Sequence, residues 1–183
     1  LPSGLGLAWE FVPTPVVDGC FGYVLGLAGG SDQGNQQSLP PFEDARKQMD
    51  TNGDGKLSKE ELTADFKKDF EESDLDKDGF WSDWEWEKYR GKRLSVNSVM
   101  AVRLGGAGDM TEKSVLWRHY KSLPNVPSPL LYNGVLYLMK EGGILTALDP
   151  STGAVLKQGR LKGALDFYYS SPVGADGKIF AAD

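Results

Sequence analysis

The chain has 183 residues, 40 % apolar and 25 % charged. Those values exclude a disordered polymer and fit one domain, or one domain with a small insert. Its net charge of −6 is concentrated, since residues 43–90 hold 16 acidic and 9 basic side chains while the remainder is nearly neutral. No basic face marks a nucleic-acid partner, and no apolar run reaches the ~18 residues of a membrane span.

The 23 glycines suit a fold with many tight turns. The single cysteine, Cys20, forms no internal disulfide and, lying in an apolar run, is expected in the core. Leu7 to Phe11 reads as a short strand. Thr14-Pro15-Val16-Val17-Asp18-Gly19 followed by Cys20 to Leu25 predicts strand, tight turn, strand. Pro15 sits at a strand start, where its missing N–H costs least. Residues 29–38 are Gly, Ser, Asp, Asn and Gln and read as a linker. Pro40 and Pro41 then precede a predicted helix over 42–49, with acids in its first turn and bases later, as the helix dipole favours. Phe42, Ala45 and Met49 share one face of it.

Residues 50–85 hold one pattern twice. Asp50, Asn52, Asp54 and Ser58 occupy loop positions 1, 3, 5 and 9, with Gly55 at 6 and Glu61 at 12. Asp74, Asp76, Asp78, Ser82, Gly79 and Glu85 repeat those positions. This is the spacing of an EF-hand calcium loop. Calcium takes about 6–8 oxygens, which a loop supplies by turning alternate side chains inward. In loop one the expected ligands are Asp50, Asn52, Asp54, the backbone carbonyl of Lys56, Ser58 through a water, and bidentate Glu61. In loop two they are Asp74, Asp76, Asp78, the Phe80 carbonyl, Ser82 through a water, and Glu85. Two Ca2+ sites are therefore expected. Magnesium, with its six tight ligands and retained waters, is disfavoured.

Between and after the loops, Leu62, Phe66 and Phe70 predict one face of a second helix. Trp84 to Tyr89 predicts a last short helix with Gly91 as its stop. Position 8 of an EF-hand loop is usually a branched aliphatic, as Leu57 is, but loop two has Trp81. The loops start 24 residues apart. Both features put the usual face-to-face pairing of the loops, though not the ligation, in question, with a tight linker or one shared helix over about 59–73 as other ways to hold them. The module has one methionine, Met49, and the aromatics Phe66, Phe70, Trp81, Trp84, Trp86 and Tyr89. Sensors expose a Met-rich groove. Aromatics at helical spacing are expected as core, so calcium is expected to organise the module rather than to signal.

From Ser95 the strand character returns. Val99 to Arg103, Val115 to Tyr120, Ser128 to Tyr132, Val135 to Met139, Ile144 to Leu148 and Ala154 to Leu161 are strand signals. Asn133-Gly134 between apolar runs predicts a hairpin. Ser128-Pro129-Leu130-Leu131-Tyr132-Asn133-Gly134 recurs 43 residues later as Ser171-Pro172-Val173-Gly174-Ala175-Asp176-Gly177, and residues 14–19 are a looser third copy. Four strands in ~40–50 residues is the period of a β-propeller blade. With that period as a ruler, the calcium module falls between the second and third strands of one blade. Residues 1–27 and 97–183 are thus expected as blades and 39–91 as the inserted EF-hand pair. The blades are too few to close a propeller, which needs at least about four. A piece of a longer chain, or an open stack of sheets, is expected; a small β-sandwich carrying the same insert is the other possibility.

Ile144-Leu145-Thr146-Ala147-Leu148-Asp149-Pro150-Ser151-Thr152-Gly153 resembles the repeat of quinoprotein-dehydrogenase-like (PQQ-like) β-propellers. Val115-Leu116-Trp117 and Leu7-Ala8-Trp9 are similar to that repeat's final, Trp-bearing strand; Val155-Leu156-Lys157 lacks the Trp. The resemblance implies a mainly β fold of partial propeller blades, four-stranded antiparallel repeats, with the α-helical EF-hand pair inserted. It further implies a periplasmic or extracellular location. Its enzymes place adjacent cysteines against a quinone, and this chain has no such pair. PQQ is accordingly not expected here, and a non-catalytic scaffold that binds a protein partner through propeller loops is favoured over part of a quinone-dependent dehydrogenase. His119, the lone histidine, has no second ligand for zinc and no triad partner, and reads as a strand residue. Gly105-Gly106-Ala107-Gly108 lacks the Lys-Ser/Thr of a phosphate loop. Asp166, Tyr168 and Tyr169 fall between repeats, where propeller loops bind ligands, but no pairing partner for them is evident.

Overall fold

The computed structural model describes residues 12–27, 39–107 and 110–182. The predicted strand over residues 7–11, with its Leu7-Ala8-Trp9 segment, and the whole 29–38 linker lie outside the described residues. In chain order the elements are β1 (Val16–Asp18), β2 (Phe21–Gly26), α1 (Phe42–Met49), β3 (Leu57–Ser58), α2 (Ala64–Lys67) and α3 (Phe70–Ser73). There follow β4 (Phe80–Trp81), α4 (Asp83–Leu94), β5 (Ser98–Arg103), α5 (Thr111–Ser114) and β6 (Val115–His119). The chain ends with β7 (Leu130–Tyr132), β8 (Val135–Lys140), β9 (Ile144–Leu148), β10 (Val155–Arg160), β11 (Val173–Ala175) and β12 (Lys178–Phe180). The fold is mainly β, with every strand pairing antiparallel.

Two four-stranded sheets are formed, in the orders β1-β2-β5-β6 and β7-β8-β9-β10. Residues 27–97 leave and re-enter the first sheet at one point, because Gly26 pairs with Ser98 across β2 and β5. The insert's ends are thus held together by a strand pair, and closing so long a loop adds little entropy cost. One apolar core joins the sheets. Tyr23, Leu25, Val99 and Ala101 of the first meet Leu136, Leu138 and Leu148 of the second, and all are buried.

The 43-residue repeat has a structural counterpart. The Thr14 N–H donates to Ser128 Oγ at 2.8 Å, and the Ser128 N–H donates to Ser171 Oγ at 2.9 Å. Each repeat thereby bonds to the same position of the next. Asn133-Gly134 and Asp176-Gly177 both take positive φ at their two residues, 50° and 74° in the first and 50° and 68° in the second. Such turns match the twist of a tight hairpin. The Trp117 indole N–H donates to the Pro150 carbonyl at 3.0 Å and its ring lies under Gly153, where a Cβ would approach to 2.6 Å. The Ala-Leu-Asp…Thr-Gly turn of one sheet is in this way seated on the Trp of the sheet before it.

The helices depart from expectation in two places. The face Leu62, Phe66, Phe70 does not lie on one helix: α2 and α3 are separate four-residue turns, divided at Asp69. Asp69 has φ −101° and ψ 3°, and its carboxylate accepts from the Tyr89 hydroxyl at 3.0 Å and from Arg93. Those bonds to α4 hold the break. Leu62 and Phe70 remain buried on the same side. Gly91 does not stop α4, which runs on to Leu94. Arg90 donates to the Leu39 carbonyl at 2.8 Å and Arg93 to Asp69, and these anchors either side of Gly91 carry the helix through. Cys20 is exposed rather than in the core, because it follows Gly19 at the tip of the β1–β2 turn. Tyr168 is buried while Tyr169 is exposed, and no site forms from them and Asp166 among the described residues. No described helix is long and apolar enough to cross a membrane.

Candidate metal centre

The insert has a core of its own. Leu39, Phe42 and Ala45 of the first helical segment pack with Leu57, Leu62, Phe70, Trp81, Trp86 and Tyr89, all buried. Trp81 is fully buried, with its ring 5.6 Å from that of Phe70 in a stacked arrangement and 4.7 Å from that of Tyr89. Phe66 packs edge-on against Trp86 and Tyr89. The Trp86 indole N–H donates to the Pro40 carbonyl at 2.9 Å, tying α4 to the start of α1. Aromatics therefore fill the interior that a sensor would expose, with Trp84 alone of the six on the surface.

That core sets the two loops side by side. β3 and β4 pair antiparallel, Leu57 opposite Trp81 and Ser58 opposite Phe80. The loop pairing that the short spacing and Trp81 put in question is therefore formed. Two short turns, in place of one long shared helix, give the chain enough sharp bends to return in 24 residues. Trp81 fits because Phe70 and Tyr89 flank its ring.

The two loops have matching hydrogen bonds. At position 1, Asp50 Oδ2 accepts from the Gly55 N–H and Asp74 Oδ2 from the Gly79 N–H, each at 3.0 Å. At position 3, Asn52 Oδ1 accepts from the Asp54 N–H at 2.8 Å and Asp76 Oδ1 from the Asp78 N–H at 3.1 Å. At position 5, Asp54 Oδ1 accepts from the Lys56 N–H and Asp78 Oδ1 from the Phe80 N–H, at 2.8 and 2.9 Å. At position 12, Glu61 Oε1 accepts from the Thr51 N–H at 2.9 Å and Glu85 Oε1 from the Leu75 N–H at 2.7 Å. Gly55 and Gly79 both have positive φ, 85° and 86°, which a side chain would strain. Each of these side chains is therefore oriented by its own loop's backbone.

Ser58 and Ser82 bond the position-12 acids directly. Their hydroxyls donate to Glu61 Oε2 at 2.8 Å and to Glu85 Oε2 at 2.7 Å, and their N–H groups donate to the same oxygens at 2.9 Å. At Ser82 the reciprocal bond from the Glu85 N–H completes a capping box that starts α4. The Ser-x-x-Glu spacing that signals such a cap is present in both loops. Hydrogen bonds from the Ser58 backbone and hydroxyl hold the Glu61 carboxyl down to about 2. Burial pushes Glu85 upward, but bonds from Ser82, Leu75 and Asp76 outweigh it and leave the carboxyl below its ordinary value.

The loops differ in burial and partners. Asp74, Asp76 and Asp78 each bring an oxygen to within 4.8 Å of the others, a grouping able to hold a metal ion. Asp74 is 7 % exposed, and its Oδ1 is buried with no hydrogen-bond partner among the described residues. A buried carboxylate oxygen without a partner is costly unless a cation meets it. In loop one, Asn52 Nδ2 donates to Asp54 Oδ2 at 3.0 Å, so the side chains of positions 3 and 5 bond each other. One contact between the loops was not foreseen from sequence. Lys56 Nζ lies 2.7 Å from Asp78 Oδ2, and this bond raises the lysine's pKa and lowers the aspartate's. Lysine reach across a strand pair is visible only once the pairing is known.

The chain carries an EF-hand motif: the family model for the EF hand matches residues 47–67, which span the end of α1, loop one and α2. An EF hand is a calcium-binding motif. Comparison with curated proteins gives no match. Loop two lies beyond the matched segment, and its likeness to loop one rests on the shared sequence positions and hydrogen bonds.

Proposed function

We propose that the chain binds two calcium ions, one in each loop, and that the ions fix the shape of a helical insert carried by a β-propeller scaffold without catalytic activity. In loop one the ligands are Asp50, Asn52, Asp54, the Lys56 carbonyl, Ser58 through water, and Glu61. In loop two they are Asp74, Asp76, Asp78, the Phe80 carbonyl, Ser82 through water, and Glu85. The observation that carries the reading is Asp74 Oδ1, buried and without a partner beside two further carboxylates. The calcium supplies the positive charge that those oxygens lack. A structural role is supported by the aromatic interior of the module, which leaves no apolar groove of Phe66, Phe70, Trp81, Trp86 and Tyr89 for a target to enter.

The propeller reading is supported by the four-stranded antiparallel sheets, their 43-residue repeat and the bonds that link equivalent residues. It also accounts for a set of exposed apolar residues at the C-terminal sheet and hairpin. Val155, Leu156, Val173 and Phe180 are each at least half exposed. In a propeller, such faces are covered by the next blade. The scaffold serves a protein partner through its loops, in a calcium-rich periplasmic or extracellular space, where modules of this kind bind with Kd of about 10⁻⁴–10⁻³ M.

Adding calcium to chelated protein tests the calcium reading. Trp81 and Trp86 are buried against the loops, so tryptophan fluorescence is expected to change and the melting temperature to rise. No change in either at millimolar calcium would refute it.

A further inference from the structure

We infer that Lys56 is an internal competitor for calcium: carried on loop one, its ammonium occupies Asp78 in calcium-free protein and holds the second loop's affinity below what its acids alone would give. The inference rests on the two-ion reading above. Lys56 stands at position 7 of loop one, where only the backbone carbonyl serves an ion, so the side chain is free for other work. The β3–β4 pairing decides where it goes. With Ser58 opposite Phe80, Lys56 crosses to the neighbouring loop, its Nζ 2.7 Å from Asp78 Oδ2 and 4.9 Å from the centre of the Phe80 ring.

The contact falls on the oxygen that matters. Asp78 Oδ1 is already committed to the Phe80 N–H at 2.9 Å. Oδ2 is the oxygen left for an ion, and Lys56 holds it. Asp74 Oδ1, buried and without a partner, lies in the same group of carboxylates, so the ion's place is marked independently of the lysine. The arrangement is one-sided. Loop two has Phe80 at position 7, and Asp54 of loop one is met by Asn52 from its own loop. The loop with more acids therefore carries the handicap.

Competition of this kind is mild and reversible. The lysine and aspartate side chains are 47 % and 38 % exposed, so water and salt screen the pair. A divalent ion that binds Asp78 Oδ2 must displace or share the ammonium, and the two cations repel. Releasing Lys56 frees the side chain of a residue whose carbonyl belongs to loop one, which links the two sites physically.

The test compares Lys56→Met and Lys56→Arg with the unaltered chain, using calcium chloride titrated calorimetrically and against a fluorescent chelator, with thermal melting of the calcium-free proteins. K56M is expected to tighten one of two sites by about twofold to fivefold and to lower the calcium-free melting temperature, since the cross-loop tie is lost. K56R keeps the charge and is expected to stay near the unaltered chain in both. A merely structural lysine would weaken calcium binding and melting together. Equal or weaker calcium affinity in K56M overturns this inference alone. An unaltered chain that takes no calcium overturns it together with the two-ion reading, and the titration of that chain separates the two results.

Discussion

Replacing Asp74 by Asn separates the calcium-free and calcium-bound states in sign. Asp74 Oδ2 accepts from the Gly79 N–H, while Oδ1 is buried with no hydrogen-bond partner among the described residues. Such an orphaned acceptor costs about 1–3 kcal/mol. The Asn carbonyl can keep the bond to Gly79, and its amide then faces the Asp76 and Asp78 oxygens, which lie within 4.8 Å of the Asp74 carboxylate oxygen. D74N should therefore stabilise the calcium-free chain by roughly 1 kcal/mol or more, and for a chain of this size that raises Tm by ~2–4 °C. With calcium the order reverses. The unaltered chain gains RT ln(1 + [Ca]/Kd) from loop two, about 2.7 kcal/mol at a hundredfold excess over Kd, and D74N forfeits it. Scanning calorimetry with chelator and with millimolar calcium should show the two melting curves exchange places. The reasoning is refuted if D74N melts lower than the unaltered chain without calcium, or if it keeps the whole calcium-induced rise.

Three further outcomes follow from the packing and charge. Trp81→Ala empties the centre of the insert, where the ring is fully buried between Phe70 and Tyr89, and should cost about 3–5 kcal/mol in urea denaturation; a cost under ~1 kcal/mol would contradict the packing. Gly174→Ala would push a methyl to 2.5 Å from the Tyr132 ring and should loosen the last hairpin, seen as faster exchange of the Gly177 N–H, which now donates to the Tyr132 hydroxyl at 2.9 Å; unchanged protection would contradict that contact. Burial lowers the His119 pKa below its ordinary 6.5. Protonation then favours the unfolded chain, so this contribution to stability is complete above pH 6.5 and is lost as pH falls through the lower folded value. The single histidine gives one imidazole signal, and its NMR midpoint should lie below 6.5; a midpoint at or above that value would contradict it.

What the sequence made readable was what local chemistry decides. The EF-hand spacing of loop one, the Asn133-Gly134 hairpin and the strands on either side of it are set by residues close together in the chain. Ile144–Leu148 is a strand at the expected bounds because an apolar run lies between the Gly142-Gly143 turn and the Asp149–Gly153 turn, each with glycine at positive φ. Tertiary contacts account for the differences. Asp69 looks like one more acid on a helix until Tyr89 and Arg93 reach it from α4 and break that helix. Gly91 reads as a stop until Arg90 and Arg93 anchor the helix on both sides. Trp81 reads as an obstacle to loop pairing until Phe70 and Tyr89 provide its pocket. Cys20 reads as core because its neighbours are apolar, yet the preceding Gly19 turn carries it out to solvent. In the site itself, the EF-hand motif over residues 47–67 was legible, whereas the Lys56–Asp78 contact depends on two loops meeting, which spacing within either loop does not encode.

The number of calcium ions the chain takes up tests the central claim most directly. Native mass spectrometry of the chelated chain, re-equilibrated with calcium alongside a D74N and Glu61→Gln double variant, reads that number without relying on a spectroscopic change. The account predicts two ions on the unaltered chain and none on the double variant. One ion or none on the unaltered chain at millimolar calcium, or two retained by the double variant, would contradict it.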